Sequence, residues 1–174
     1  MTMYNFIHLI LSNFTITFLV VGAIFSAIAI YRRRNILSKA LVAELILKYY
    51  CFWAQGICWT YNGIIHVVFH KMAADFIGWA DSPFQQEVGF ASLGMGLVGL
   101  VAIRQNFGLR LGLVITSATF LWGAAAGHIY QIITSNNQAE GNAGVMLYTG
   151  LLMPFLSIAL LRFSFVTSKP TFIN

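Results

Sequence analysis

Five long apolar runs constrain the fold of this chain more than any other feature of its sequence. A helix that crosses a membrane needs about 20 apolar residues, and the runs at 4–31, 41–69, 83–103, 111–133 and 145–165 meet or approach that length. Only 9% of the 174 residues are charged, whereas a soluble domain carries about 25%. The runs therefore predict an all-α, polytopic transmembrane helix bundle of about five spans, forming a single domain over residues 1–174.

The basic residues predict the orientation of the bundle. Nine of the ten Lys and Arg residues flank the ends of the runs that would lie on one side, and only Lys71 lies on the other. Loops rich in Lys and Arg stay in the cytoplasm, which predicts an N-out/C-in topology. Although the net charge is +5, the cations form no separate patch. The predicted partner is therefore the lipid bilayer and not nucleic acid.

The second run carries polar residues on one face. At about 100° per residue, seven of them fall within a stripe roughly 80° wide, which must face the bundle interior or water. The first two members are four residues apart, so they are predicted to form an ion pair. The stripe comprises Glu44, Lys48, Gln55, Trp59, Asn62, His66 and His70.

Four histidines and a glutamate map to the outer third of the predicted bundle. His66, His70, Glu87 and His128 form the core of this group, and His8 is an outlying member. Histidine and carboxylate side chains on neighbouring helices are the ligands of Zn, Fe or Cu sites. His66 and His128 could instead be the axial pair of a b-type haem. In the third interpretation, these side chains form a polar network without a metal.

Local signals add three expectations. Gly123 and Gly127 form a G-x-x-x-G pair, which predicts close helix contact. Ser82 and Gln85 fit a capping box at the start of the third span. Residues 134–144, rich in Ser, Asn and Gly, are predicted to form an exposed loop.

The segment W-A-D-S-P-F-Q-Q-E-V-G-F at residues 79–90 resembles a stretch found in a family of small bacterial inner-membrane proteins of unknown function. More loosely, the chain from His66 to His128 resembles the DoxX-like group of helical membrane proteins. The resemblance implies a multi-pass protein of the bacterial inner (plasma) membrane. DoxX-like proteins usually have four spans, and some are accessory to quinone-linked oxidoreductases.

Three functional hypotheses follow, and none specifies a reaction. The first is a ligand or metal site at the outer face, acting in redox or ion handling. The second is a non-catalytic accessory subunit or assembly factor that binds other membrane subunits or itself. The third is a small transporter in which the polar stripe lines a path across the membrane.

Overall fold

The computed structural model describes residues 2–104 and 107–168, without the side chains of residues 4–8 and 168. The described residues are almost entirely helical and contain no strand. A 3-10 turn at Arg34–Ile36 follows the second helix, and a π-helical segment at Tyr50–Ile57 joins the third helix to the fourth. The α-helices are α1 Met3–Ser12, α2 Phe14–Arg32, α3 Lys39–Tyr49, α4 Cys58–Val68, α5 His70–Ile77, α6 Phe84–Ala102, α7 Phe107–Ser135, α8 Glu140–Ala143 and α9 Val145–Ser168.

Three stretches of helix are long and apolar enough to cross a membrane. They are Phe14–Arg32, Phe107–Ser135 and Glu140–Thr167. Large apolar side chains on these helices point outward, with Ile24 52% and Phe155 62% exposed, as expected for surfaces that face lipid. The all-helical class is confirmed, while the count of five spans and the orientation stay predictions.

The first predicted run is broken near its start. Asn13 separates α1 from α2, and its side-chain amide donates to the carbonyl oxygen of Leu9 at 2.9 Å. Such a side chain competes with the backbone for hydrogen bonds, which explains the interruption of the helix at this residue. On either side of it, the Leu11 carbonyl oxygen accepts from Tyr61 of α4 and the Thr15 hydroxyl bonds Thr149 of α9.

The second run is one helical path that changes its winding midway. Between α3 and α4, the π-helical segment contains eight residues, whereas π-helix usually occurs as a single wide turn. A π-helix turns less per residue than an α-helix, so side chains before and after it do not keep the phase of a uniform helix. Glu44 accordingly contacts α7, whereas Asn62 contacts α6.

Glycines bring α6 into backbone contact with the second helical path. A Cβ atom added at Gly99 would lie 2.5 Å from the backbone nitrogen of Gly56, and one at Gly96 would lie 2.7 Å from that of Thr60. Real Cβ atoms do not approach so closely, so only glycine fits at these positions. These contacts hold α6 against the π-helical segment and the start of α4.

The two ends of the bundle are packed differently. The end where α7 begins, called the Arg110 end below, holds an apolar core. There Glu44 pairs with Arg110 through two bonds of 2.6 and 2.8 Å, and not with Lys48 as predicted. Arg110 also donates to the carbonyl oxygen of Ala102 at 3.0 Å, which ties α3, α6 and α7 together. The core cluster comprises Leu47, Tyr50, Cys51, Ala54, Ala102, Leu113, Val114, Met153 and Leu161.

Candidate cavity site

The opposite end of the bundle, called the α5–α8 end, contains a large cavity. Its volume is about 1110 Å³, which exceeds the roughly 300–1,000 Å³ typical of small-molecule sites. The π-helical segment, α4 and α6 line one side, while α7 and α9 line another. Most lining side chains are apolar, and no described lining residue is Asp, Glu, Lys or Arg.

Small residues on α7 leave this space open. Gly123 and Gly127 both line the cavity. A Cβ atom at Gly123 would meet nothing within 4 Å, and one at Gly127 would meet only the ring of Trp79 at 3.9 Å. The predicted close helix contact at this glycine pair is therefore wrong, because the glycines border empty space.

Helices α5 and α8 close the end of the cavity. Met72 and Phe76 of α5 line it from above, and Gly141 of α8 lies so close to Phe76 that an added Cβ atom would be 2.5 Å from its ring. Asn137 fixes the turn after α5 by donating to the carbonyl oxygen of Ile77 at 2.9 Å. The two short helices therefore form a packed roof.

A buried polar network forms the floor. The side-chain amide of Gln55 donates to the hydroxyl oxygen of Tyr50 at 2.8 Å, and its carbonyl oxygen accepts from the indole nitrogen of Trp59 at 3.0 Å. The Tyr50 hydroxyl also bonds Ser157 of α9. Gln55 is 1% exposed, and burying its amide would be costly without these partners.

His66 lies in the wall formed by α4 and α6. Its Nδ1 atom and Oε1 of Gln85 are joined by a hydrogen bond of 2.8 Å, and both residues are buried and line the cavity. The predicted capping box is wrong: α6 begins at Phe84 without a side-chain cap. Gln85 bonds to His66 instead. The Gln near the helix start thus has a structural role, but its partner is a side chain of another helix and not the backbone of its own.

His128 of α7 also lines the cavity and is held by the roof. Its Nδ1 atom lies 2.8 Å from Oδ1 of Asn142, which also accepts from the indole nitrogen of Trp79 at 3.2 Å. The rings of Trp79 and His128 are 5.3 Å apart. Asn142 is 0% exposed, so the predicted exposed loop at 134–144 contains a buried anchor that composition gave no means of finding.

The remaining predicted site residues lie elsewhere. His70 pairs with Asp81 at 2.8 Å, and Glu87 is exposed on α6; neither lines the cavity. The side chain of His8 lies outside the described residues. Within residues 2–104 and 107–168, no group of three or more His, Cys, Asp or Glu side chains is placed to hold a metal ion. The structure thus brings His66 and His128 to one cavity and leaves His70 and Glu87 outside it, and metal or haem binding stays a prediction.

Exposed apolar side chains lie at the rim of the cavity. Phe69, Met72 and Phe84 are each at least half exposed and also line the cavity, as does Leu11 at 46%. These residues come from the junctions of α1 with α2, α4 with α5, and the start of α6. The rim therefore presents apolar side chains at the protein surface.

The sequence matches a family of unknown function, DUF6790, over residues 12–169. The predicted resemblance to an uncharacterised family is confirmed to this extent, while the DoxX-like relationship and the bacterial source stay predictions. No curated protein matches the chain. No solved structure matches it either.

Proposed function

The chain belongs to the family of unknown function DUF6790, and we propose that it binds an amphipathic small molecule from the membrane in the cavity at its α5–α8 end. The cavity itself carries the proposal. It is large, mainly apolar and supplied with a few polar groups on different helices, which is the usual composition of a small-molecule site.

The distribution of polar groups favours an amphipathic ligand over a wholly apolar one. His66 and Gln85 lie in one wall, and His128 lies in another. Large parts of the remaining lining come from Phe, Ile, Met and Ala residues. An alkyl chain would occupy the apolar part, while a polar head would contact the imidazole and amide groups.

Binding is favoured over transport by the packing at the Arg110 end. Members of the polar stripe pair within the bundle, as Glu44 does with Arg110 and Gln55 with Tyr50. Tyr50 also belongs to the apolar core cluster. A path across the membrane would need accessible polar groups on both sides of that core.

We also propose that the chain crosses the membrane about five times, N-out and C-in, with the cavity in the outer half. Helix α6 has 19 residues, or about 28 Å at 1.5 Å per residue, and α3, the π-helical segment and α4 together exceed that length. Support for the orientation comes from the basic residues beside the Arg110 end. A reporter enzyme active only in the cytoplasm should work when fused after Asn174 and fail when inserted at Asn137. Activity at both positions would refute the topology.

Tryptophan fluorescence tests the proposed binding. Two of the four Trp residues, Trp59 and Trp79, line the cavity, so Trp53 and Trp122 would first be replaced by Phe. The protein in lipid nanodiscs would be titrated with a dibrominated monoacylglycerol and with the same molecule methylated at both hydroxyls. Saturable quenching by at least one probe is expected, because bromine quenches an indole only at short range.

Matched variants on one helix control this experiment. Gly123→Phe places a ring in the cavity, whereas Gly112→Phe lies outside it, and an added Cβ atom meets nothing within 4 Å at either glycine. The first variant should weaken saturable quenching by about tenfold or more, and the second should leave it unchanged. Equal quenching in both variants, or none in the parent, would refute binding in the cavity.

A metal or haem is the second candidate occupant, favoured by one observation. Both His66 and His128 have Nδ1 fixed by a side-chain amide, and a hydrogen bond at one ring nitrogen is the usual support of a histidine that ligates a metal through the other. Metal analysis and an absorption spectrum of the purified protein test this. Absence of stoichiometric metal and of a Soret band, after growth in metal-replete and haem-replete medium, would refute it.

A further inference from the structure

The proton positions around Asn142 are fixed by its four contacts. Its Nδ2 atom lies 3.0 Å from the carbonyl oxygen of Asn137 and 3.3 Å from that of His128, and both of these atoms only accept. Its Oδ1 atom lies 3.2 Å from the indole nitrogen of Trp79, which only donates. Reversing the amide would break all three bonds, so Oδ1 must face His128.

This orientation determines the tautomer of His128. Since Oδ1 of Asn142 accepts, Nδ1 of His128 carries the proton and donates across 2.8 Å. In the neutral ring the other nitrogen, Nε2, is then an acceptor. Within the described residues Nε2 has no partner, and no buried side-chain nitrogen or oxygen there lacks one. Nε2 is therefore accessible, and the ring lines the cavity.

Asn62 supplies a second acceptor. The hydroxyl of Ser92 has one proton and two neighbours, the carbonyl oxygen of Val88 at 2.8 Å and the side-chain amide of Asn62 at 2.9 Å. Both bonds form together only when Ser92 donates to Val88 and accepts from Nδ2 of Asn62, because a reversed amide would compete for the same proton. This leaves Oδ1 of Asn62 without a partner among the described residues, and hence accessible. Asn62 also lines the cavity.

The His66–Gln85 pair adds one donor and one acceptor whichever way its shared proton lies. If Nδ1 of His66 donates, its Nε2 accepts and the Gln85 amide nitrogen donates to the cavity. If the amide is reversed, the two roles exchange. The fixed part of the hydrogen-bonding pattern is therefore the acceptor pair at His128 and Asn62.

Charge limits the ligand further. None of the described lining residues is Lys or Arg, and none is Asp or Glu. An ionised head group moved from water into such a site would lose its hydration without gaining a counter-ion. The cavity thus disfavours fatty acids and phospholipids with exposed charge.

We infer that the ligand is an uncharged amphiphile whose head group carries hydroxyls that donate to Nε2 of His128 and Oδ1 of Asn62. This inference rests on the proposed binding function. A glycerol or similar polyol head on an alkyl chain has this chemistry. A head group that only accepts hydrogen bonds would leave both acceptors unpaired, which is costly in an apolar surrounding.

The two probes used above, titrated at pH 8, test this preference. They share one chain and differ in whether the head can donate. The monoacylglycerol is expected to bind about 25-fold more tightly than its methylated form, because it makes two further hydrogen bonds and each is worth roughly a factor of five. Binding by neither probe would refute the proposed function. Equal binding by both would refute only the hydroxyl preference, as would tighter binding of the methylated form.

Two variants test whether His128 and Asn62 are the residues that favour the hydroxyl-bearing probe. His128→Phe and Asn62→Leu keep the apolar surface but remove one acceptor each. Each should reduce the preference for the hydroxyl probe several-fold, because the hydroxyls lose a partner and the methylated head no longer leaves that acceptor unpaired. Saturable binding of the methylated probe, no weaker than in the parent, shows that the cavity remains folded. A charged probe, the dibrominated fatty acid, should bind more weakly than the monoacylglycerol. An undiminished preference in both variants, or tighter binding of the fatty acid, would overturn the inference.

Discussion

Replacing a glycine by alanine should lower the thermal stability of this protein on α6 and raise it slightly on α7. In Gly99→Ala, the new Cβ atom would lie 2.5 Å from the nitrogen and 2.6 Å from the Cα atom of Gly56. Ordinary carbon contacts are about 3.5–4.0 Å, so α6 must move away from its neighbour by about 1 Å. Both opposing atoms belong to the backbone and cannot turn aside as a side chain would.

The expected change in stability is the sum of two free-energy terms. Overpacking of this kind costs about 1–3 kcal/mol, offset by up to about 1 kcal/mol because Ala favours helix more than Gly. Gly123→Ala gains the same helix preference without a clash, since its Cβ atom meets nothing within 4 Å. At roughly 2–4 °C per kcal/mol for a protein of this size, Gly99→Ala should lower Tm by several degrees and Gly123→Ala should raise it slightly.

Thermal unfolding of both variants in one detergent, followed by fluorescence and by loss of the monomer peak in size exclusion, measures the difference. Which variant has the higher Tm matters more than either Tm by itself, because detergent shifts both Tm values together. If Gly99→Ala were as stable as Gly123→Ala, the tight contact of α6 and the open face of α7 would both be refuted.

Two further predictions concern polar contacts. A double-mutant cycle on Glu44 and Arg110 should give a coupling of about 1–3 kcal/mol in thermal or denaturant unfolding, since Arg110 is nearly buried and the pair is bidentate. A cycle on Glu44 and Lys48 should give almost none, and the reverse order would contradict the observed pairing. Gln85→Leu should destabilise by about 1–3 kcal/mol, because it leaves a histidine nitrogen unpaired in a buried wall. Gln86→Leu, at an exposed neighbouring position, should change stability by about 0.5 kcal/mol or less, and equal losses in the two would argue against that bond.

The parts of the fold that depend on apolar periodicity could be predicted from the sequence. Long apolar runs have few alternatives to helix, and the helical class followed directly. The sequence predicts that the polar stripe faces the interior or water, and Gln55 and His66 are buried while Glu44 and His70 are partly exposed. The directions in which its residues point before and after the π-helical segment could not be predicted, because nothing in the residues Tyr50–Ile57 signals a π-helical winding.

The cavity could be predicted only in part. The number of residues between each histidine and the end of its apolar run predicts that His66 and His128 lie at the same end of the bundle. Both line one cavity. Depth does not fix direction around the helix axis, however. Glu87 shares that depth and is nevertheless exposed on α6.

The partners of the histidines were the least predictable feature. Asn142 lies in a segment whose composition indicates an exposed loop, yet it is fully buried. Its burial depends on α8 packing against α5, a contact between residues about 65 positions apart along the chain. Short polar segments carry no periodic signal for such contacts.

Anomalous diffraction from crystals grown with the dibrominated monoacylglycerol would test the central claim most directly, because bromine can be located independently of the protein phases. A bromine peak is expected inside the bundle, bounded by Trp59, Gly123 and Met153, which line the cavity together. Bromine found only around outward-facing residues such as Ile24 and Phe155, with the cavity free of it, would refute binding in the cavity.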